Sequence, residues 1–154
     1  MLETYQRGTA LTTVDQRIED HLAEHGVRYT RGRRSVVTAL IRADGPRSAA
    51  ELVEALGAAV PVSSLYRSLG VLEETGVLSP HHGTKGVTRW ELAEWLSGHH
   101  HHLVCVECGA IEDVEVPRGR EVVIRDLVEE LAEGRGFAVI DHVLEIEGRC
   151  ARCA

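Results

Sequence analysis

Val14, Ile18 and Leu22 fall on one side of a 3.6-residue repeat, with Thr12 and Thr13 available as caps ahead of them and Gly26 behind. That spacing predicts a first helix. A second is predicted after Thr30, whose hydroxyl can cap it, with Val36, Val37, Leu40 and Ile41 as its buried stripe and Asp44-Gly45-Pro46 as its breaker. Ser48 and Glu51 stand three residues apart, a capping-box pair for a third helix whose apolar face is Ala49, Leu52, Val53 and Leu56. Past Pro61, Ser63 is the expected cap of a fourth helix running to Thr75, with Leu65, Leu69 and Leu72 inward and Gly76 as its stop. Val77-Leu78 and Val87–Leu92 then flank HHGTKG, whose two glycines predict the turn of a hairpin.

Farther along, the pattern turns to strands around a single helix. Leu103–Val106 and Ile111–Val116 read as strands, Arg120–Glu133 as a helix bearing Val123, Leu127 and Leu131, and Phe137–Glu147 as a long strand. Alternation along that last strand puts Ala138, Ile140, His142, Leu144 and Ile146 on one face, so His142 is a polar group on an apolar surface and needs a partner. The predicted class is α+β. A winged-helix DNA-binding domain over residues 1–90 is followed by a hinge over 91–98, where Trp95 and Leu96 pack, and by a small α/β dimerisation domain over 99–154.

Charge refines this division. The net charge of −7 speaks against a nucleic-acid partner until it is split along the chain. Residues 1–90 hold 11 Lys and Arg against 10 Asp and Glu, whereas residues 91–154 hold 6 against 14, so the acid sits in the second half. Within the first half, RYTRGRR from Arg28 to Arg34 carries four arginines and no acid, a patch suited to phosphates, although a solvated helix start would look the same. In a winged helix the fourth helix enters the major groove, and its outer face would carry Ser64, Tyr66, Arg67 and Ser68, while Arg31 and Arg33 approach the backbone. An amphipathic helix with ordinary solvated residues shares that pattern. No stretch is long and apolar enough for a membrane span, and the polar start MLETYQRGTALTTVDQR lacks a signal-peptide core, so the expected location is the cytoplasm.

Four cysteines occur as Cys105/Cys108 and Cys150/Cys153, and in a reducing compartment such CxxC pairs bind metal more readily than they form disulfides. Two pairs complete a tetrahedral sulfur shell for a structural Zn²⁺, against the alternatives of a redox dithiol or plain buried cysteines. A closed shell of that kind leaves no position for substrate, and the chain has no HExxH or nucleophile-elbow motif, so an enzyme is not expected. Just ahead of the first pair stand His99, His100, His101 and His102. If they continue the strand, His100 and His102 face one way and His99 and His101 the other, so one tetrapeptide can serve two metals; the plainer alternative is a solvated run.

HGVRYTRGRRSVVTAL, VPVSSLYRSLGVLEETGVL, and HHHHLVCVECG with GRCARC together resemble the ferric uptake regulator family of metal-dependent dimeric repressors over nearly the whole chain. PRSAAEL, with no histidine before its Ser-Ala, is most similar to the zinc-uptake branch. The resemblance implies that Tyr66 and Arg67 read DNA and that Cys105, Cys108, Cys150 and Cys153 hold structural zinc. It also implies a sensing site of His100 and His102 with Glu91 and either His81 or His82. A second regulatory site would use His99, His101 and His142 with a carboxylate; counting back from His142 lands on Arg125, and Glu121 lies one turn earlier.

The expected function is a zinc-responsive repressor that binds a palindromic operator in double-stranded DNA as a homodimer. Metal at the hinge acts as corepressor, and neither a membrane nor a small organic substrate takes part. An iron (Fe²⁺), nickel (Ni²⁺) or peroxide sensor on the same scaffold is the alternative within the class. A zinc enzyme or thiol oxidoreductase is the alternative outside it.

Overall fold

The computed structural model describes residues 2–83 and 85–154, with side chains from Thr13 onward. The chain divides into two compact units, Met1–Gly98 and His99–Ala154.

In the first unit, α1 (Leu2–Glu24) precedes α2 (Arg31–Ile41), α3 (Ala49–Leu56), a 3-10 turn (Gly57–Ala59), α4 (Val62–Glu74) and the short α5 (Glu94–Ser97). Strands β1 (Arg47–Ser48), β2 (Leu78–His82) and β3 (Thr88–Leu92) form an antiparallel sheet in the order β1-β3-β2. Thr30 caps α2, accepting from the Arg33 amide at 3.4 Å. The Ser48–Glu51 capping box is complete: the Glu51 amide donates to Ser48 Oγ at 3.3 Å and the Ser48 amide to Glu51 Oε2 at 2.8 Å. Two expected caps are not used. Helix α1 runs through Thr12 and Thr13, the side chain of Thr12 lying outside the described residues, and α4 begins after Pro61, whose carbonyl accepts from Ser64 and Leu65, with no cap from Ser63. Gly76 ends α4 at φ +69°, a conformation costly for other residues, and this lets the Val77 amide return to the Leu72 carbonyl at 2.8 Å.

Helical periodicity and the hairpin meet in one core of Ile18, Leu22, Val36, Val37, Leu52, Leu65, Leu69, Leu72, Val77 and Leu78, all at most 2% exposed. Helix α1 is further held to α2 by a polar clamp. The Tyr29 hydroxyl donates to Asp15 at 2.7 Å, and Arg34 lies over the Tyr29 ring while pairing with Asp15 and Glu19 at 3.4 Å each. The segment read as a hinge carries α5, whose Leu96 is buried in this core and whose Trp95 indole donates to the Gly76 carbonyl. His81 and His82, expected in the hairpin turn, lie in β2.

In the second unit, β4 (His101–Cys105), β5 (Ile111–Val114) and β6 (Glu145–Gly148) form a sheet in the order β5-β4-β6, with β6 parallel to β4, and α6 spans Arg118–Ala132. The long strand expected over 137–147 is only its last few residues. A strand exists where a neighbour accepts its hydrogen bonds, and β4 pairs with this segment from residue 145 onward. Ile140 upstream is 98% exposed, and Phe137 and Val143 are exposed as well. The expected inward stripe of α6 likewise points outward, with Val123, Leu127 and Leu131 each more than half exposed. Among the described residues no helix is long and apolar enough to cross a membrane.

Candidate metal centres and nucleic-acid interface

Cys105 ends β4, and Gly109, at φ +70°, turns the chain back so that its amide reaches the Cys105 carbonyl at 2.8 Å. Parallel pairing of β6 with β4 then carries the C-terminal residues to the same place, and the Cys150 amide donates to Cys105 Sγ at 3.3 Å. All four Sγ atoms lie within 4.8 Å of one another, with Cys108 and Cys150 3.8 Å apart and no disulfide formed. That separation is close to the roughly 3.8 Å edge of a tetrahedron built on Zn–S bonds of about 2.3 Å. Amides of Cys108 and Cys150 donate to the Cys105 sulfur and lower its pKa to about 6. The Cys153 thiol donates hydrogen bonds to the Cys150 and Cys108 sulfurs, which favour its protonated form and push it up to about 12. Four packed sulfurs cannot all shed their protons without a cation among them, so the donor set fits Zn²⁺.

The histidine run alternates. Toward one side, His99 and His101 meet Glu121 of α6 and His142, all four ligand atoms lying within 4.8 Å of one another. Their Nε2 atoms stand 3.3 Å, 2.9 Å and 3.1 Å from the Glu121 carboxylate for His99, His101 and His142 respectively. The bond from His101 and the neighbouring imidazoles hold the Glu121 carboxyl below its ordinary range. His101 is 1% exposed and its Nδ1 has no hydrogen-bond partner among the described residues; His142 Nε2, though close to Glu121, is off hydrogen-bond geometry. Buried ring nitrogens that converge on a carboxylate without a full set of hydrogen bonds fit a cation better than a satisfied core. The carboxylate here is Glu121, while Arg125 lies exposed one turn on.

Toward the other side, His100 and His102 face Asp113, with Nε2 to Oδ1 distances of 3.8 Å and 3.6 Å. Asp113 was not anticipated from the sequence. It is the register partner of His102 across the β4–β5 hairpin, and centring that hairpin on the CxxC turn would have found it. In the first unit, His81 meets Glu91 at 2.6 Å diagonally across β2 and β3, whereas His82 is exposed and contacts the Thr88 hydroxyl at 3.3 Å.

On α4, Tyr66 is 56% exposed and Arg67 is exposed, with the Arg67 guanidinium 3.4 Å from Ser64 Oγ. Ser68, expected on this face, is buried instead, its hydroxyl donating to the Ser64 carbonyl one turn back at 2.7 Å. Within the arginine run, Arg34 is consumed by Asp15 and Glu19 and Arg33 donates to the Arg28 carbonyl, while Arg31 is exposed. Arg31 lines an open groove of about 640 Å³ between α2 and α3 together with Arg34, Arg42 and Arg47.

A winged helix and an α/β unit bearing a four-sulfur cluster and two histidine–carboxylate clusters define a metal-binding protein of the winged-helix class. The model of the ferric uptake regulator family matches residues 24–147, and the chain belongs to that family. It is 34% identical over 97 residues to the ferric uptake regulation protein of Neisseria meningitidis, a match covering 63% of this chain and 62% of that one. It is 31% identical over 142 residues to the ferric uptake regulation protein of Bacillus subtilis, covering 89% and 92%. The Helicobacter pylori ferric uptake regulator, described as having three functional metal binding sites, superposes with a TM-score of 0.74 at 25% identity, covering 93% of each chain.

Proposed function

We propose that the protein is a metal-responsive transcriptional repressor, zinc being the sensed metal, that binds double-stranded DNA as a homodimer with metal as corepressor. The observation that carries this reading is the alternate projection of His99–His102 into two separate clusters, each with its own carboxylate, beside a complete set of four sulfurs. One cluster can be structural while the others respond. Cys105, Cys108, Cys150 and Cys153 would hold zinc permanently and fasten the C-terminal residues to β4. His99, His101 and His142 with Glu121 would tie α6 to the sheet. His100, His102 and Asp113 would supply the sensing ligands of the second unit, and the first unit's candidate ligands are Glu91 and His81, with His82 as the alternative to His81. When bound, the cation supplies the positive charge that allows carboxylates and neutral imidazoles to share one small volume.

Tyr66, Arg67 and Ser64 present the reading face, and Arg31 and Arg33 the phosphate contacts. The partner copy is supported by the apolar face of α6, where Val123, Leu127 and Leu131 stand exposed. A second reading, iron as the sensed metal, is favoured by the oxygen ligands: imidazole and carboxylate together serve Fe²⁺ as well as Zn²⁺. Four protein ligands at the sulfur cluster speak against a zinc enzyme.

Metal content per chain tests this assignment. Purified protein loaded with zinc should hold at least two ions, and the double variant His100→Ala/His102→Ala should hold one fewer while keeping the sulfur-bound ion. A variant with unchanged stoichiometry would refute the sensing site. Preference for Fe²⁺ over Zn²⁺ in anaerobic competition would select the second reading.

A further inference from the structure

Ser48 has three roles at once: it is the last residue of β1, the cap of α3, and the register partner of Arg89 on β3. Arg89 is 8% exposed, and its Nη1 lies 2.5 Å from Glu51 Oε2 and 3.4 Å from the Pro46 carbonyl. The same Glu51 oxygen accepts from the Ser48 amide at 2.8 Å and from its hydroxyl at 2.9 Å. Burial would raise the Glu51 carboxyl, but the Ser48 bonds and the Arg89 charge outweigh it and hold the group ionised. Two residues along β3, on the same face, stands Glu91 with His81, and His81 is itself the register partner of Arg89. On the opposite face the Trp90 indole donates to Glu73 of α4 at 2.8 Å. One five-residue strand therefore touches the start of α3 and the end of α4, and also carries Glu91.

We propose that Arg89 and Glu51 are positioning residues that couple ligand capture at Glu91 and His81 on the wing to the setting of α3, and through it of the reading helix α4. The inference rests on the reading that Glu91 and His81 take the sensed metal; neither Arg89 nor Glu51 belongs to a candidate ligand cluster or to the proposed reading face. The chemistry favours coupling because one carboxylate oxygen serves both the cap and the guanidinium. A shift of β3 lengthens one contact at the expense of the other, and a buried guanidinium tolerates loss of its carboxylate partner badly. The strand thus passes a displacement at residue 91 to the α3 cap, which is the physical link that coupling between two sites requires.

The test uses the full chain, buffered Zn²⁺ and a DNA duplex selected from a random pool by zinc-loaded wild-type protein. The quantity read is the ratio of DNA Kd without and with zinc in the histidine sites, the sulfur site staying loaded. Glu51→Gln keeps the capping box, since glutamine also serves there, and removes only the charge facing Arg89. Arg89→Met removes the other partner, and Arg89→Lys restores a cation. In Glu51→Gln and Arg89→Met the ratio should fall at least fivefold, with partial recovery in Arg89→Lys and unchanged zinc content. Should Arg89→Met fail to fold, Glu51→Gln decides the matter alone. DNA binding weakened equally with and without zinc, leaving the ratio unchanged, would mean a purely structural pair and overturn the inference. A wild-type ratio near one would refute the sensing reading itself and this inference with it.

Discussion

Tyr29 shows how one side chain links stability to pH. Burial, then its hydrogen bond to Asp15, raise the phenol well above its ordinary value of 10.0, so the folded state favours the protonated ring. Its contribution is therefore complete below about pH 10 and is lost as pH rises beyond the unfolded value. Tyr29→Phe should cost about 1.5 kcal/mol at neutral pH, the lower range for a hydrogen bond to an ionised acceptor. Thermal melts from pH 7 to 11 should show the wild type losing stability above pH 10 more steeply than the variant; parallel profiles would contradict this. The same scale shows which residues a sequence can disclose. Cys105, Cys108, Cys150 and Cys153 were legible because chain-local spacing forces the convergence of each pair. Asp113 was not, because its place depends on strand register, and Ser68 was misplaced because a hydroxyl that bonds its own helix backbone is as much at home inside as outside.

Among the elements, α2, α3 and the β2–β3 hairpin were legible because caps, apolar period and turn glycines agree with one another. Helix α6 and the segment after it were not. Periodicity identifies a stripe of Val123, Leu127 and Leu131 to be covered, but not whether the cover comes from the same chain. Strand pairing depends equally on neighbours, so residues 137–144 keep their alternation without forming a strand with β4. The proposed homodimer accounts for both by supplying the missing cover. Leu127→Asp, at a position 53% exposed in the single chain, should leave the fold of the first unit intact and shift the sedimentation coefficient from dimer to monomer at micromolar concentration. A Leu127→Asp protein that sediments with the wild type as a dimer would place the interface elsewhere.

At the scale of the molecule, the acidic second half and the nearly neutral first half divide the work in the proposed function. The second unit gathers carboxylates and imidazoles that cations can bridge, while exposed Tyr66, Arg67 and Arg31 stay on the first. Such a division makes DNA affinity dependent on metal only if ligand capture prefers the DNA-competent arrangement, because a ligand shifts an equilibrium by no more than its differential affinity. The most direct measurement is DNA affinity by fluorescence anisotropy at buffered free zinc, with the four-cysteine site confirmed loaded at every point. Affinity should tighten at least tenfold as the histidine sites fill. Equal affinity in chelator and in saturating zinc would contradict it.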